Sequence, residues 1–308
     1  MLRTTLPAAL AIGALGVLAS CVSDAGTTAA RDAGAQPPAA DASSNEPDTG
    51  TTVTDSGTDA KPLGPCNMAG SFDEIAPISG ASNATWFVTS PSEQQAYFAN
   101  GANDDLYAAP FSNQAVSAPR ALLSKAISAA AAVDTKGHVL IAFEPSGDFE
   151  VSLDWDPGPN NGSLTTSHLL LEDYTHPTLT ADGTRMVVRS QGPGVGIGDR
   201  YLHQFQIAAD YDKKTITAKS ENVVLPEHAS HPTLTTDGLA VVYVYDDLSE
   251  LRYATRAQVT DSFVNPQRLA YANEILKGAR PHSLSRDLCR LYFSKPTGGA
   301  FVAKRSPN

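Results

Sequence analysis

From about Cys66 onward, short apolar runs alternate with clusters of Gly, Pro, Asn and Asp. Thr184-Arg185-Met186-Val187-Val188 and Leu239-Ala240-Val241-Val242-Tyr243-Val244 are typical: five or six residues, rich in β-branched and aromatic side chains, bounded by turn formers. Such runs predict β-strands. No stretch keeps the three-to-four-residue spacing of an amphipathic helix. The Ala-rich run from Ala121 to Ala132 has no charged face beyond Lys125 and lies between strand signals, so it predicts strand and loop. Residues 22–65 carry no apolar pattern of either period.

The strand signals repeat. His176-Pro177-Thr178-Leu179-Thr180-Ala181-Asp182-Gly183 recurs 55 residues later as His231-Pro232-Thr233-Leu234-Thr235-Thr236-Asp237-Gly238, with seven of eight positions identical. Ser283-Leu284-Ser285-Arg286-Asp287-Leu288, followed by the apolar Leu291-Tyr292-Phe293, is a third copy. Val133-Asp134-Thr135-Lys136-Gly137 and Ser90-Pro91-Ser92-Glu93 are weaker ones. Glu93, Gly137, Gly183, Gly238 and Leu288 then mark one turn at successive spacings of 44, 46, 55 and 50 residues. A second marker keeps the same beat. Asp105-Leu106-Tyr107, Asp148-Phe149-Glu150-Val151, Asp199-Arg200-Tyr201-Leu202 and Glu250-Leu251-Arg252-Tyr253 each start a further alternating run, and Gly299-Ala300-Phe301-Val302 does so without the acid. Two markers on one period predict five copies of one unit.

Each unit reads as a strand, a tight Asp-Gly turn, an apolar strand, a third strand and a more polar fourth. A four-stranded sheet of this size cannot bury both faces alone. Sheets packed face to face around an axis do, and they shield their edges. The chain is therefore expected to be all-β, a five-bladed β-propeller over residues 66–308. Pro177-Thr178-Leu179-Thr180-Ala181-Asp182-Gly183 and Leu284-Ser285-Arg286-Asp287 resemble the TolB-type, WD-repeat-like propeller repeat, as does the passage Tyr253-Ala254-Thr255-Arg256 with Ser262-Phe263 and Pro266 after it. That resemblance implies a fold and leaves function open. Ser92 and Lys136 replace the turn Asp in the first two copies. The last copy stops near Arg305 after its third strand, while Ser71-Phe72-Asp73-Glu74-Ile75-Ala76-Pro77-Ile78 is similar to the fourth-strand segment Ser262-Phe263-Val264-Asn265-Pro266-Gln267-Arg268-Leu269. The N-terminal strand is thus expected to complete the last blade. Closure would carry Cys66 towards the blade holding Cys289 and predicts a disulfide; two separate thiols are the competing reading.

The N-terminus adds a location. Arg3 precedes an uncharged apolar run from Leu6 to Leu18, too short for a permanent span but right for an export signal over residues 1–20. Leu18-Ala19-Ser20-Cys21 resembles the bacterial lipobox, which implies cleavage before Cys21 and acylation of it, and so a partner in the lipid bilayer. Each buried CH₂ adds ~0.8 kcal/mol, so several chains on one cysteine anchor firmly. Val22 is not the Asp that retains such proteins at the inner membrane, which implies the outer one. Residues 22–65 are nearly all Ala, Thr, Ser, Gly, Pro and Asp, a composition that cannot offset its ordering entropy. With Cys21 they are expected to form a disordered tether reaching roughly 35–40 Å. The formal charge of −11 repels phosphate backbones, so nucleic acid is not an expected partner. A monomer is expected.

Candidate chemistry is sparse. His176 and His231 occupy equivalent places at the start of an innermost strand, on the side where a propeller's channel opens. Glu172 and Glu227 lie four residues before them, His228 adds a His-x-x-His pair, and Arg280 with His282 falls near the corresponding place in the last copy. Neutral imidazoles with carboxylates can bind a divalent metal; duplication of a structural histidine explains the pair equally. The recurrent acids lack the spacing of a calcium loop. Gly192-Pro193-Gly194-Val195-Gly196-Ile197-Gly198 has neither a Lys nor a following helix for a phosphate cradle. Asp154 and Asp156 flank Trp155, a sugar-stacking or merely loop-edge arrangement. No catalytic constellation stands out. The expected role is a noncatalytic module binding an envelope protein or glycan without a cofactor; the rival is a metal-assisted polysaccharide lyase or hydrolase using the histidines.

Overall fold

The computed structural model describes residues 66–101, 104–133, 137–145, 150–156, 158, 164–190, 201–225, 228–246, 249–271 and 274–307, with the side chains of 165–168 excepted. The leader, Cys21, the tether, Glu227, Asp148, Asp199 and the glycine-rich stretch 192–198 lie outside these residues.

Five antiparallel sheets follow one another along the chain. Blade one holds β2 (Ala84–Thr89), β3 (Gln95–Asn100) and β4 (Asp105–Ser112), with the short β5 (Ala115–Val116) and β6 (Arg120–Leu123) both on β4. Blade two is β7 (Ala126–Val133), β8 (Val139–Pro145), β9 (Glu150–Asp156) and β10 (Thr165–Glu172). Blade three is β11 (Tyr174–Leu179), β12 (Arg185–Ser190), β13 (Leu202–Asp210) and β14 (Thr215–Leu225). Blade four is β15 (Ala229–Leu234), β16 (Ala240–Tyr245), β17 (Glu250–Thr255) and β18 (Val264–Arg268). Blade five takes three strands from the C-terminus, β19 (Arg280–Leu284), β20 (Arg290–Ser294) and β21 (Ala300–Lys304), and its fourth from the N-terminus, β1 (Glu74–Pro77). The chain is a five-bladed β-propeller.

The hydrophobic core is five layers, one at each seam between consecutive blades. This explains the unbroken apolar runs. On β12, Met186 and Val188 face the seam with blade two, while Val187 faces blade four. On β16, Val241 and Tyr243 face blade three and Val242 faces blade five. Strands buried on both faces need no polar alternation. The Ala-rich run obeys the same rule: Ala129 and Ala131 pack towards blade one, Ala130 and Ala132 towards blade three. Burial of both faces overrides alanine's preference for helix.

The repeated turn has one geometry. Glu93, Gly137, Gly183, Gly238 and Leu288 all take positive φ, at 55°, 86°, 70°, 70° and 60°. The hydroxyl of Thr180, Thr235 or Ser285 donates to the Asp two residues on and accepts the N–H of the next strand's first residues. Side chains thereby satisfy turn groups that strands cannot reach.

Chain ends meet in blade five. Glu74, Ile75, Ala76 and Pro77 pair with Lys304, Ala303, Val302 and Phe301. Phe72 and Ile78, which flank β1, are buried as are their counterparts Phe263 and Leu269 around β18. Cys66 and Cys289 are joined by a disulfide spanning 223 residues of sequence. Arg305, 5% exposed, donates from Nη1 to the carbonyls of Asn67, Met68 and Gly70 at 2.6, 3.0 and 2.9 Å, and from Nε to Leu288 at 2.8 Å. Its guanidinium lies 4.1 Å from the Phe72 ring centre.

Candidate functional site at the channel mouth

The five innermost strands line a central channel. Its throat is narrow and lined by small residues and hydroxyls. Thr178 accepts from the Leu234 N–H at 3.1 Å and Ser283 from the Thr89 N–H at 3.2 Å, each bond joining neighbouring blades. At one end the channel widens into a cavity of about 230 Å³ lined by Trp86, Glu144, His176, His231, Arg280 and His282, among others.

Local backbone chemistry puts the imidazoles there. β11 and β15 lose register between Thr175 and Thr178 and between Ser230 and Thr233, and the displaced His176 and His231 take φ of 52° and 48°. β-Bulges re-aim side chains, and non-glycine residues at positive φ concentrate at binding sites. The two imidazole centres are 4.0 Å apart. Each Nδ1 lies 3.0 Å from the hydroxyl of the preceding residue, Thr175 or Ser230. β19 is irregular at the same level, where His282 sits 2.8 Å from Ser294 Oγ by Nε2 and 5.3 Å from the Trp86 ring.

The electrostatics favour neutral imidazoles. Burial, then the charges of Arg189 and Arg280, lowers the His176 pKa to about 3. Burial likewise drives His231 and His282 well below the ordinary range, helped by their neighbours and by Arg280. Burial raises the Glu144 carboxyl, although the His176 N–H at 3.0 Å and the Ser128 hydroxyl at 2.9 Å both stabilise its charge. Arg189 pairs with Asp246 at 3.5 Å. Arg280 is exposed and has no ion pair among the described residues.

The site thus unites His176, His231, His282 and Arg280. Glu172 is elsewhere, exposed at the end of β10 opposite Glu150, because it closes the fourth strand of the preceding blade. His228 precedes β15, where its carbonyl accepts the Asp246 N–H, and is not among the cavity-lining residues. Glu227 lies outside the described residues. Glu144 and Trp86 were not singled out from sequence. An acid ending the apolar run Val139-Leu140-Ile141-Ala142-Phe143 was the available signal for Glu144. Among the described residues, no three His, Cys, Asp or Glu side chains are grouped to hold a metal ion.

No family model matches the chain, and no curated protein does. Solved propellers resemble it at low identity. TolB from Acinetobacter baumannii is 12% identical, with 71% of this chain and 52% of that one covered and a TM-score of 0.39. The Cps50 (Swd1) β-propeller domain of Myceliophteria thermophila is 10% identical over 76% of this chain and 99% of that one, at 0.43. A putative 6-phosphogluconolactonase from Bacteroides fragilis is 15% identical over 73% and 68%, also at 0.43. These are likenesses of fold.

Proposed function

We propose that this chain is a lipid-anchored envelope protein whose propeller is a noncatalytic binding module, receiving an acidic group of a partner protein at the channel mouth. The observation that carries the reading is Arg280, exposed and unpaired among the described residues beside three imidazoles held neutral. Neutral imidazoles donate hydrogen bonds without needing a counter-ion, and one guanidinium supplies the charge and a two-pronged donor for a carboxylate. The chain's net charge of −11 disfavours diffuse anion binding, so a single cationic spot selects one group and its orientation. The anchor rests on the likeness of Leu18-Ala19-Ser20-Cys21 to the lipobox.

Crosslinking and pull-down from native envelopes with the full chain test the module. An envelope protein is expected to co-purify and to be lost with Arg280→Gln or His231→Asn. A stoichiometric divalent ion that disappears in the His176→Ala, His231→Ala double variant would instead favour the metal-assisted lyase or hydrolase. Labelling with a fatty-acid analogue tests the anchor: the label should vanish in Cys21→Ser.

A further inference from the structure

A second well-formed concavity lies away from the channel. It measures about 570 Å³ and runs between blades one and two, lined by Tyr97, Pro110, Arg120, His138, Trp155 and Tyr211 among others. That volume falls in the range of small-molecule sites. We propose that this cleft binds a neutral saccharide.

Three observations lead there. First, the charges in the cleft are already matched. Arg120 Nη2 donates to both carboxylate oxygens of Asp156 at 2.6 and 2.8 Å, and Asp156 also accepts from Gly158 N at 3.0 Å and from Tyr97 Oη at 3.3 Å. An ionic ligand would have to break that pair. An uncharged one leaves it intact.

Second, the cleft offers an aromatic wall beside an apolar floor. His138 and Tyr211 stack at 4.3 Å with 23° between planes, and Trp155 tilts against Tyr211 at 5.4 Å. Trp155 is only 6% exposed, so it forms floor. The half-buried His138–Tyr211 pair supplies the flat surface on which the C–H face of a pyranose packs. At the rim, the Gln95 amide has no side-chain partner among the described residues and offers a donor and an acceptor to a hydroxyl.

Third, blade three is built to reach this place. β13 and β14 run nine and eleven residues, longer than the third and fourth strands of the other blades. Much of β14 is exposed, while Ile207 and Ile216 of the hairpin are buried in the seam with blade two. Its connection begins with Tyr211, which thereby meets His138 of the preceding blade. Ordering the exposed residues costs conformational entropy, and the extension also sets Tyr211 against His138 at the edge of the cleft.

The chain has two tryptophans, so Trp86→Phe leaves Trp155 as the reporter. The full chain carrying Trp86→Phe, in detergent, is titrated with maltotriose, cellotriose and triacetylchitotriose, and with trigalacturonate as the anionic comparison. At least one neutral trisaccharide is expected to change Trp155 emission saturably. Tyr211→Ala should weaken it about tenfold, the scale of one lost stacking contact. Pro110→Phe, which fills the cleft from an exposed strand position and adds no tryptophan, should abolish it without touching the aromatic wall. Trigalacturonate should not compete. The proposal is overturned if none of the three neutral sugars binds, if binding survives both substitutions, or if trigalacturonate binds equally well. It does not depend on the channel mouth, whose variants are read by a different assay.

Discussion

Replacing Arg305 by Met tests how the ring is closed. The guanidinium is almost wholly buried, and burial lowers its pKa to about 10. By donating to the carbonyls of both, it links the turn residue Leu288 of blade five to Asn67, Met68 and Gly70 of the N-terminal segment. Met keeps most of the stem and its contact with Phe72 but leaves four carbonyls without their donor. A hydrogen bond to a charged group contributes about 1.5–3 kcal/mol, yet three of the four share one nitrogen and the N-terminal carbonyls can rehydrate, so a loss of about 2–4 kcal/mol is expected. For a domain of this size that lowers Tm by roughly 5–15 °C. Arg256→Met is the internal comparison. Arg256 holds Gly238 and Asp261 carbonyls and the Gln204 amide, and lies 4.3 Å from Phe263, but it clasps no chain end. Both variants should melt early, whereas amide exchange over residues 67–78 should rise in Arg305→Met alone. A loss below about 1 kcal/mol, or unchanged protection of 67–78, would refute the idea that Arg305 latches the ring.

Three further outcomes follow from the fold. Breaking the Cys66–Cys289 bridge with a double Cys→Ser variant frees a 223-residue loop, for which chain entropy sets a bound of about 5 kcal/mol; two titratable thiols in the unreduced protein would refute the bridge itself. Leu288→Gly should stabilise by up to ~1 kcal/mol by relieving a φ of 60°, while Gly238→Ala should destabilise by about 1–3 kcal/mol, since its Cβ would meet Thr180 Cγ2 at 2.8 Å; urea titration of both separates the signs. Finally, His176, His231 and His282 have folded pKa values below the unfolded value near 6.5, so the unfolded state binds more protons on acidification. Stability is full above about pH 6.5 and falls towards pH 3, by at most about 2 kcal/mol per imidazole at pH 5. Glu144, raised by burial, titrates in the opposite sense, so the check is the flatter pH profile of His176→Asn, His231→Asn rather than the total slope.

Much of the ring was legible because its parts repeat. The positions aligned as one turn share positive φ, including Glu93 and Leu288, where no glycine announces it. The likeness of Ser71–Ile78 to Ser262–Leu269 located β1 against β21 because a blade with three strands leaves one edge unpaired. The sites were less legible. Glu172 precedes His176 by four residues, yet the boundary between an outer and an inner strand falls between them and parts them. Glu144 belongs to the site through the backbone N–H of His176, 32 residues away, a contact that no local spacing encodes. Tyr211 and His138 are 73 residues apart and meet only because a hairpin overruns its own blade.

The contrast between repeated and unrepeated residues bears on both proposed sites. The throat hydroxyls Thr178 and Ser283, the turn hydroxyls Thr180, Thr235 and Ser285, and the arginines Arg256 and Arg305 recur because they perform the same structural task in different blades. At the mouth the repeat is only partial: His176 and His231 correspond, but Trp86 in blade one, Ser128 with Glu144 in blade two and His282 with Arg280 in blade five differ. A symmetric ring needs no such variety for stability, and two imidazoles held at positive φ cost it some. The side cleft is irregular in the same way, since Tyr211 meets His138 and Trp155 where the blade-three hairpin overruns its own blade. Substitutions at the two proposed sites, such as His231→Asn at the mouth or Tyr211→Ser at the hairpin, should therefore leave the fold intact and remove binding. If instead they unfold the ring while binding tracks the folded fraction alone, the irregular residues serve packing and both site assignments fall.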